Sequence, residues 1–101
     1  MQYHGAGCPG CEWDPEKDAE NQRKHDGITL EDACRVFDDP YRDEVENEGN
    51  DGEVRFIATG RVGNVILVVF TERNGRERIL SARKAEPPER RAYYARKRSR
   101  D

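Results

Sequence analysis

Only one stretch of this 101-residue chain is long and continuously apolar, residues 65–70, reading VILVVF. A six-residue run bounded by turn residues has the length of a strand covered on both faces, and is too short for a buried helix. The rest of the sheet is read outward from it. Asn74-Gly75 follows, a strong two-residue hairpin turn. Residues 76–84 then return beside the run, with Arg78, Leu80, Ala82 and Lys84 on one face and Glu77, Ile79, Ser81 and Arg83 on the other. Upstream, Val54, Phe56 and Ala58 alternate with Arg55, Ile57 and Thr59, which predicts a half-buried strand. Residues 60–64 read as the turn between it and the central strand.

The first half reads as two helices. Residues 1–10 hold three glycines and a proline and are expected to form a flexible arm. Residues 11–14 suggest a short strand. Asp14 is an N-cap with Pro15 at the first helical position, and the helix runs to about residue 25. Ala19 is its only apolar residue, so it packs by a narrow edge. Asp26-Gly27 ends it. Thr29 and Asp32 form the next capping pattern, and Leu30, Ala33, Cys34 and Phe37 follow at helical spacing. Asp39-Pro40 stops this second helix. Residues 41–53 are acidic and rich in Gly and Asn, as in a mobile loop. Pro87-Pro88 opens a last helix over about residues 89–98, and residues 97–101 are expected to fray. The fold class is α+β: a single domain over residues 1–101, with an antiparallel sheet, two N-terminal helices and a C-terminal helix.

Charged residues make up 39% of the chain and apolar ones 34%, so the core is thin and a large enzyme with an internal cavity is excluded. No run reaches the 18 apolar residues of a membrane helix, and the N-terminus has no secretory h-region. Cytoplasm is the expected compartment. The net charge of −3 conceals a polarity: residues 1–53 carry 5 basic and 16 acidic side chains, residues 54–101 carry 13 and 5. A basic half of this kind attracts polyanions, nucleic acid above all, although a solvated, salt-bridged surface gives the same count.

Cys8 and Cys11 form one CxxC pair. A tetrahedral zinc site needs four ligands, and no second pair or HxxxH accompanies it, so no metal and no cofactor are expected. Three cysteines do not make a disulfide framework, and Cys8 and Cys11 are read as free thiols on the arm. There is no GxSxG, no Walker A loop and no GxGxxG. What remains is arginine. Arg55, Arg61, Arg73, Arg78, Arg83 and Lys84 come from neighbouring strands, and Arg90, Arg91 and Arg96 from the last helix. Cleavage of a phosphodiester by its own ribose 2′-OH needs in-line positioning, cations on the developing charge and groups that move two protons. Arginine suits the cationic role because its planar fork pairs with two phosphate oxygens. Glu72 is a candidate base, and Lys84, Tyr93 and Tyr94 are candidate proton donors or stacking platforms. In the plainer reading the arginines solvate the sheet and the tyrosines pack on it.

A resemblance bears on that choice. Glu12-Trp-Asp-Pro15, Asn21-x-x-Lys-His25, Leu30-Glu-Asp-Ala33 and Val36-Phe-Asp-Asp-Pro40 resemble the first half of the BrnT toxins. The strand beginning at Arg55 through Gly60-Arg61, then Val68-Val-Phe-Thr-Glu-Arg73, Arg78-Ile-Leu-Ser-Ala-Arg-Lys-Ala85 and Glu89-Arg-Arg-x-Tyr93, resemble the second. The resemblance covers residues 12–96 and departs at Asp26-Gly27, at the Cys8–Cys11 arm and at Cys11, where an apolar strand residue is common. It implies a RelE-like ribonuclease fold and a metal-independent toxin that cuts RNA and inhibits translation. It also implies a BrnA antitoxin, a ribbon-helix-helix protein that neutralises the toxin in a heterotetramer binding operator DNA. By the same resemblance Arg83 is the first candidate catalytic cation and Tyr93 or Tyr94 the helix group, with Arg61 and Lys84 next; Glu72 stays a catalytic candidate as the base named above. Arg55, Arg73, Arg78, Arg90, Arg91 and Tyr94 are the candidate RNA-binding residues. The alternatives are a non-catalytic nucleic-acid or partner-binding module with the same fold, and a cysteine-metal or redox protein.

Overall fold

Residues 65–70 lie in the interior of a sheet. In the computed structural model, which describes residues 2–4, 10–49 and 52–100, they belong to β5 (Asn64–Arg73). It pairs antiparallel with β4 (Val54–Val62) on one side and β6 (Arg76–Lys84) on the other. The hairpin between β5 and β6 turns at Asn74 and Gly75, both at positive φ (56° and 76°), as a primed two-residue turn demands. The β4–β5 turn is tighter than the expected residues 60–64: β4 continues through Val62 and Gly63 turns the chain at φ 73°.

Three further strands complete a six-stranded sheet in the order β1-β2-β6-β5-β4-β3. β2 (Cys11–Trp13) runs parallel to β6, and β1 (Gln2–His4) pairs antiparallel with β2. The sheet is therefore mixed, which corrects the antiparallel expectation. β1 also gives structure to part of the expected arm; residues 5–9 of that arm, Cys8 included, lie outside the described residues. β3 (Asp43–Glu48) is the second correction. Its sequence, DEVENE, was expected to be loop, yet it pairs residue for residue with β4. It is an edge strand exposed on nearly its whole length, so no burial imposes apolar alternation, and acidic side chains suit an edge.

The helices take opposite faces. α1 (Pro15–Lys24), α2 (Leu30–Cys34) and a 3-10 turn (Arg35–Asp38) cover one. There Cys11, Trp13, Leu30, Ala33, Cys34, Val36, Ala58, Ile66, Val68, Phe70, Ile79 and Ala82 form the main core. Each large side chain of this set contributes about 1.5–3 kcal/mol through burial. A β-bulge at Val69/Phe70 explains why Ile79 and Ala82 both point into it. Strict alternation along β6 assigns them to opposite faces, and the bulge inserts the extra residue that reconciles them. α1, poor in apolar residues, is fixed by polar contacts. Buried Asn21 donates to Ile28 O (2.9 Å) and accepts from Ala82 N (2.9 Å), and Asp18 accepts from Leu30 N (2.9 Å). α3 (Pro87–Arg100) crosses the other face, where Val65, Leu67, Ala85 and Tyr93 form a second, smaller core. It is helical to Arg100, through the residues expected to fray.

Cys11 and Cys34 are bonded as a disulfide, both fully buried, tying β2 to α2. This overturns the reading of Cys11 as a free thiol. The pair is 23 positions apart in sequence, and the fold brings it together because the parallel β2–β6 pairing lays β2 under α2.

Candidate nucleic-acid interface

The face carrying α3 is organised around Asp39. After the 3-10 turn the chain crosses close over β4 at Gly60. A Cβ there would lie 2.6 Å from Val36 Cγ2 and 3.3 Å from Asp39 Oδ2, so only glycine permits the approach. Asp39 is thereby buried against the sheet. Its Oδ1 accepts from Tyr41 N (2.8 Å), and its Oδ2 accepts from Arg61 N (2.8 Å) and from the Tyr93 hydroxyl (2.6 Å). Burial raises the Asp39 pKa, but the bonds from Tyr93, Tyr41 and Arg61, with the charge of Lys97, outweigh it and hold the carboxyl below its ordinary value. Burial, then the bond to Asp39 and its charge, push the Tyr93 hydroxyl well up. Tyr93 therefore stays protonated and committed to Asp39.

Beside this hub is an open pocket of about 290 Å³ lined by Arg35, Asp38, Pro40, Tyr41, Arg61 and Lys97 in addition to Asp39 and Tyr93. Lys97 Nζ lies 5.5 Å and Arg100 Cζ 5.9 Å from the centroid of the Tyr41 ring, within cation–π range. Arg61 turns its Nε onto Gly63 O (3.1 Å).

At the start of α3 the guanidinium of Arg83 makes a two-pronged pair with Glu89, Nη1 to Oε1 (3.0 Å) and Nη2 to Oε2 (2.9 Å). Glu89 also accepts from Glu86 N (2.7 Å) and so caps the first turn. The Arg83 hydrogen bond lowers the Glu89 pKa, and the same bond raises that of Arg83. Along α3 a groove of about 380 Å³ is lined by Pro87, Arg90, Arg91, Tyr94 and Arg98, at helical spacing.

Residues 13–89 match a family model described as ribonuclease toxin, BrnT, of type II toxin-antitoxin system. The chain belongs to the BrnT family. No curated protein matches it.

For a BrnT toxin the distribution of the expected residues is informative. The register places Arg61 opposite Val65 and Arg83 opposite Leu67, on the α3 face and on either side of β5. Arg55 and Arg78 belong to the same face by the pleat, opposite Asn47 and Glu12. Tyr93 is buried there, while Arg90, Arg91 and Tyr94 lie on α3 itself. Lys84 and Glu72 are not part of this group. Lys84 lies on the face covered by α1 and α2, 3.8 Å from Asp26, and lines a separate pocket there. Glu72 faces the same side beside Glu77, whose pKa is raised by burial and by the carboxylates of Glu72 and Glu44. Arg73 sits at the hairpin end of β5, opposite Arg76.

Sequence reasoning missed Asp39, Tyr41, Arg35 and Lys97 as site residues. The available signal was the dipeptide Asp39-Pro40, read as a helix stop and as part of the resemblance but not as a site. Among the described residues no three His, Cys, Asp or Glu side chains are grouped so as to hold a metal ion, and no helix is long and apolar enough to cross a membrane.

Proposed function

We propose that this BrnT toxin is a cytoplasmic, metal-independent endoribonuclease with a RelE-like fold that cleaves RNA and so inhibits translation. A BrnA-type ribbon-helix-helix antitoxin neutralises it in a heterotetramer that binds operator DNA. The observation that carries the reading is the α3 face, where Arg55, Arg61, Arg78 and Arg83 of the sheet lie on the same side as Arg90, Arg91 and Tyr94 of the helix. In this reading the substrate 2′-oxygen gives its proton to water and attacks the adjacent phosphorus, closing a 2′,3′-cyclic phosphate, and the P–O5′ bond breaks as the 5′-oxygen leaves with a proton taken from water. Arg83 and Arg61, on either side of β5, take the non-bridging oxygens as charge builds. Arg55, Arg78, Arg90 and Arg91 hold flanking phosphates, Arg73 extends the cationic track to the hairpin, and Tyr94 offers a stacking surface. Tyr93, its proton held by Asp39, acts by positioning α3. Lys84 and Glu72, on the opposite face, take no part.

The test is expression. Induced alone, the protein should arrest growth and translation; co-expression of an adjacent ribbon-helix-helix gene should restore both. The purified protein should cleave RNA undiminished in EDTA. Unimpaired growth at high soluble expression would sink the toxin reading. A non-catalytic nucleic-acid or partner-binding module is the second reading, favoured by one observation: the bidentate Arg83–Glu89 pair occupies the cation the chemistry needs. RNA bound but left intact would select it.

A further inference from the structure

The pocket beside Asp39 lies between the turn at residues 38–41, the end of β4 and the C-terminal half of α3, and Lys97 falls beyond the residues that match the family model. Three cations, Arg35, Arg61 and Lys97, line it against two carboxylates, Asp38 and Asp39, leaving one net positive charge. Asp39 feels the charge of Lys97, but its hydrogen bonds go elsewhere. Its oxygens accept from two backbone amides and the Tyr93 hydroxyl. The half-buried ring of Tyr41 forms one wall, and Lys97 rests near its face, 5.5 Å from the centroid. Cations beside an aromatic wall are the combination by which single-stranded nucleic acid is held without sequence readout. The volume, about 290 Å³, is at the small end for ligand sites and suits one nucleotide.

We propose that this pocket is a nucleotide subsite for single-stranded RNA, in which Arg61, Arg35 and Lys97 hold one backbone phosphate and Tyr41 stacks the attached base. The proposal rests on the reading of the chain as an RNA-cleaving toxin and adds where the strand is gripped beyond the scissile phosphate. The arriving base replaces the contacts of Lys97 and Arg100 with the Tyr41 ring, and Lys97 turns to the phosphate. Asp39 acts at one remove, holding the Tyr41 backbone, the Arg61 backbone and α3 in register, and is a positioning residue.

Binding of a labelled, single-stranded 2′-O-methyl RNA, which lacks the attacking hydroxyl, tests this by fluorescence anisotropy over a salt series. Lys97→Met and Arg35→Met should each reduce the slope of log affinity against log salt, the two together by no more than about 0.7, the share of one phosphate contact on a single strand. Tyr41→Leu, which keeps apolar bulk, should weaken binding about 5- to 150-fold at unchanged slope, the loss of one stacked base. A nucleoside monophosphate should bind more tightly than inorganic phosphate, and lose that advantage in Tyr41→Leu. Wild-type binding left unchanged in all three variants overturns the subsite and leaves the RNA reading standing. Equal binding of phosphate and nucleotide overturns the stacking assignment. A wild-type protein without affinity for the RNA overturns both. Lys97→Met and Arg35→Met alter side chains outside the core, so they keep the test decisive if Tyr41→Leu fails to fold.

Discussion

The Tyr93 hydroxyl donates to Asp39 Oδ2 at 2.6 Å, joining the last helix to the turn before β3 across 54 residues of sequence. The bond is buried, and it couples two pKa values in opposite directions. Tyr93→Phe should cost about 1.5–3 kcal/mol, the range for a hydrogen bond to a charged group. The pH dependence follows from the directions. The raised Tyr93 pKa contributes stability that is complete below the unfolded value near 10 and is lost as pH rises above it. The lowered Asp39 pKa contributes stability that is complete above about 4 and is lost as pH falls below it. Denaturant midpoints across pH should therefore fall at both ends, and Tyr93→Phe should flatten the alkaline fall. An unchanged alkaline limb in the variant would show that Tyr93 is not the group responsible.

Gly60 makes the Asp39 arrangement possible. Its missing side chain is replaced in space by Val36 Cγ2, 2.6 Å from where a Cβ would stand. Val36 is fully buried, and the nearby Asp39 cannot retreat without losing its bonds. Gly60→Ala should cost about 1–3 kcal/mol by overpacking. Combined with Val36→Ala, the loss should be smaller than the sum of the two single losses by at least about 0.5 kcal/mol. Additive losses in chemical denaturation would show that strain arises somewhere other than the Val36 contact.

The three-stranded centre of the fold was legible because its signals are local: the apolar run at residues 65–70, the Asn74-Gly75 turn and the alternation after Val54. Capping was legible for the same reason; Asp14 accepts from Glu16 N and Thr29 from Asp32 N. The features that escaped depend on distant partners. The β-bulge at Val69/Phe70 shifts β6 without any mark in its sequence. The acidic β3 is a strand only because β4 offers it a free edge. Of the candidate site, the arginines could be named from composition and resemblance, but their faces could not. Lys84 adjoins Arg83 in sequence and points away from it across the sheet. Asp39 looked like a helix stop because its three donors arrive from its own turn, from β4 and from α3.

The Cys11–Cys34 disulfide reverses an expectation with practical consequences. Serine in place of a free thiol on an arm would be harmless; in place of Cys11, bonded and fully buried, it is not. Closing a loop across 23 residues restricts the unfolded chain by about 3 kcal/mol in the chain-entropy account. The paired change Cys11→Ala with Cys34→Ala should lower stability by about 2–5 kcal/mol, and reduction of the wild type should lower its melting temperature in the same direction. In the cytoplasmic setting proposed above, thiol pools oppose such a bond, so its presence is best read from cells quenched with an alkylating agent. Non-reducing peptide mapping should recover the Cys11 and Cys34 peptides linked. Both peptides fully alkylated, with stability indifferent to reductant, would show that the pair stays reduced in the protein.

Arg83 is the residue on which the catalytic reading turns. Its side chain and that of Glu89 are 39% and 34% exposed, so their ion pair faces water and is worth about 0.2–1 kcal/mol at most. That small figure separates stability from catalysis: Arg83→Ala should melt cooperatively close to the wild type. If Arg83 stabilises the charge of the pentacoordinate phosphate, its loss should cost about 10²–10³ in cleavage rate and abolish toxicity. Arg83→Lys should be weakened, because lysine keeps the charge and loses the two-pronged geometry now spent on Glu89. Glu89→Gln supplies the complementary measurement. It removes the competing carboxylate while keeping the helix cap acceptor, so RNA should bind the variant more tightly and cleavage should be retained. A purified, folded Arg83→Ala that cleaves at the wild-type rate would assign the chemistry to another cation of the α3 face, with Arg61 first in line. An Arg83→Ala that fails to fold would mark the Glu89 pair as a structural contact of far more than surface strength.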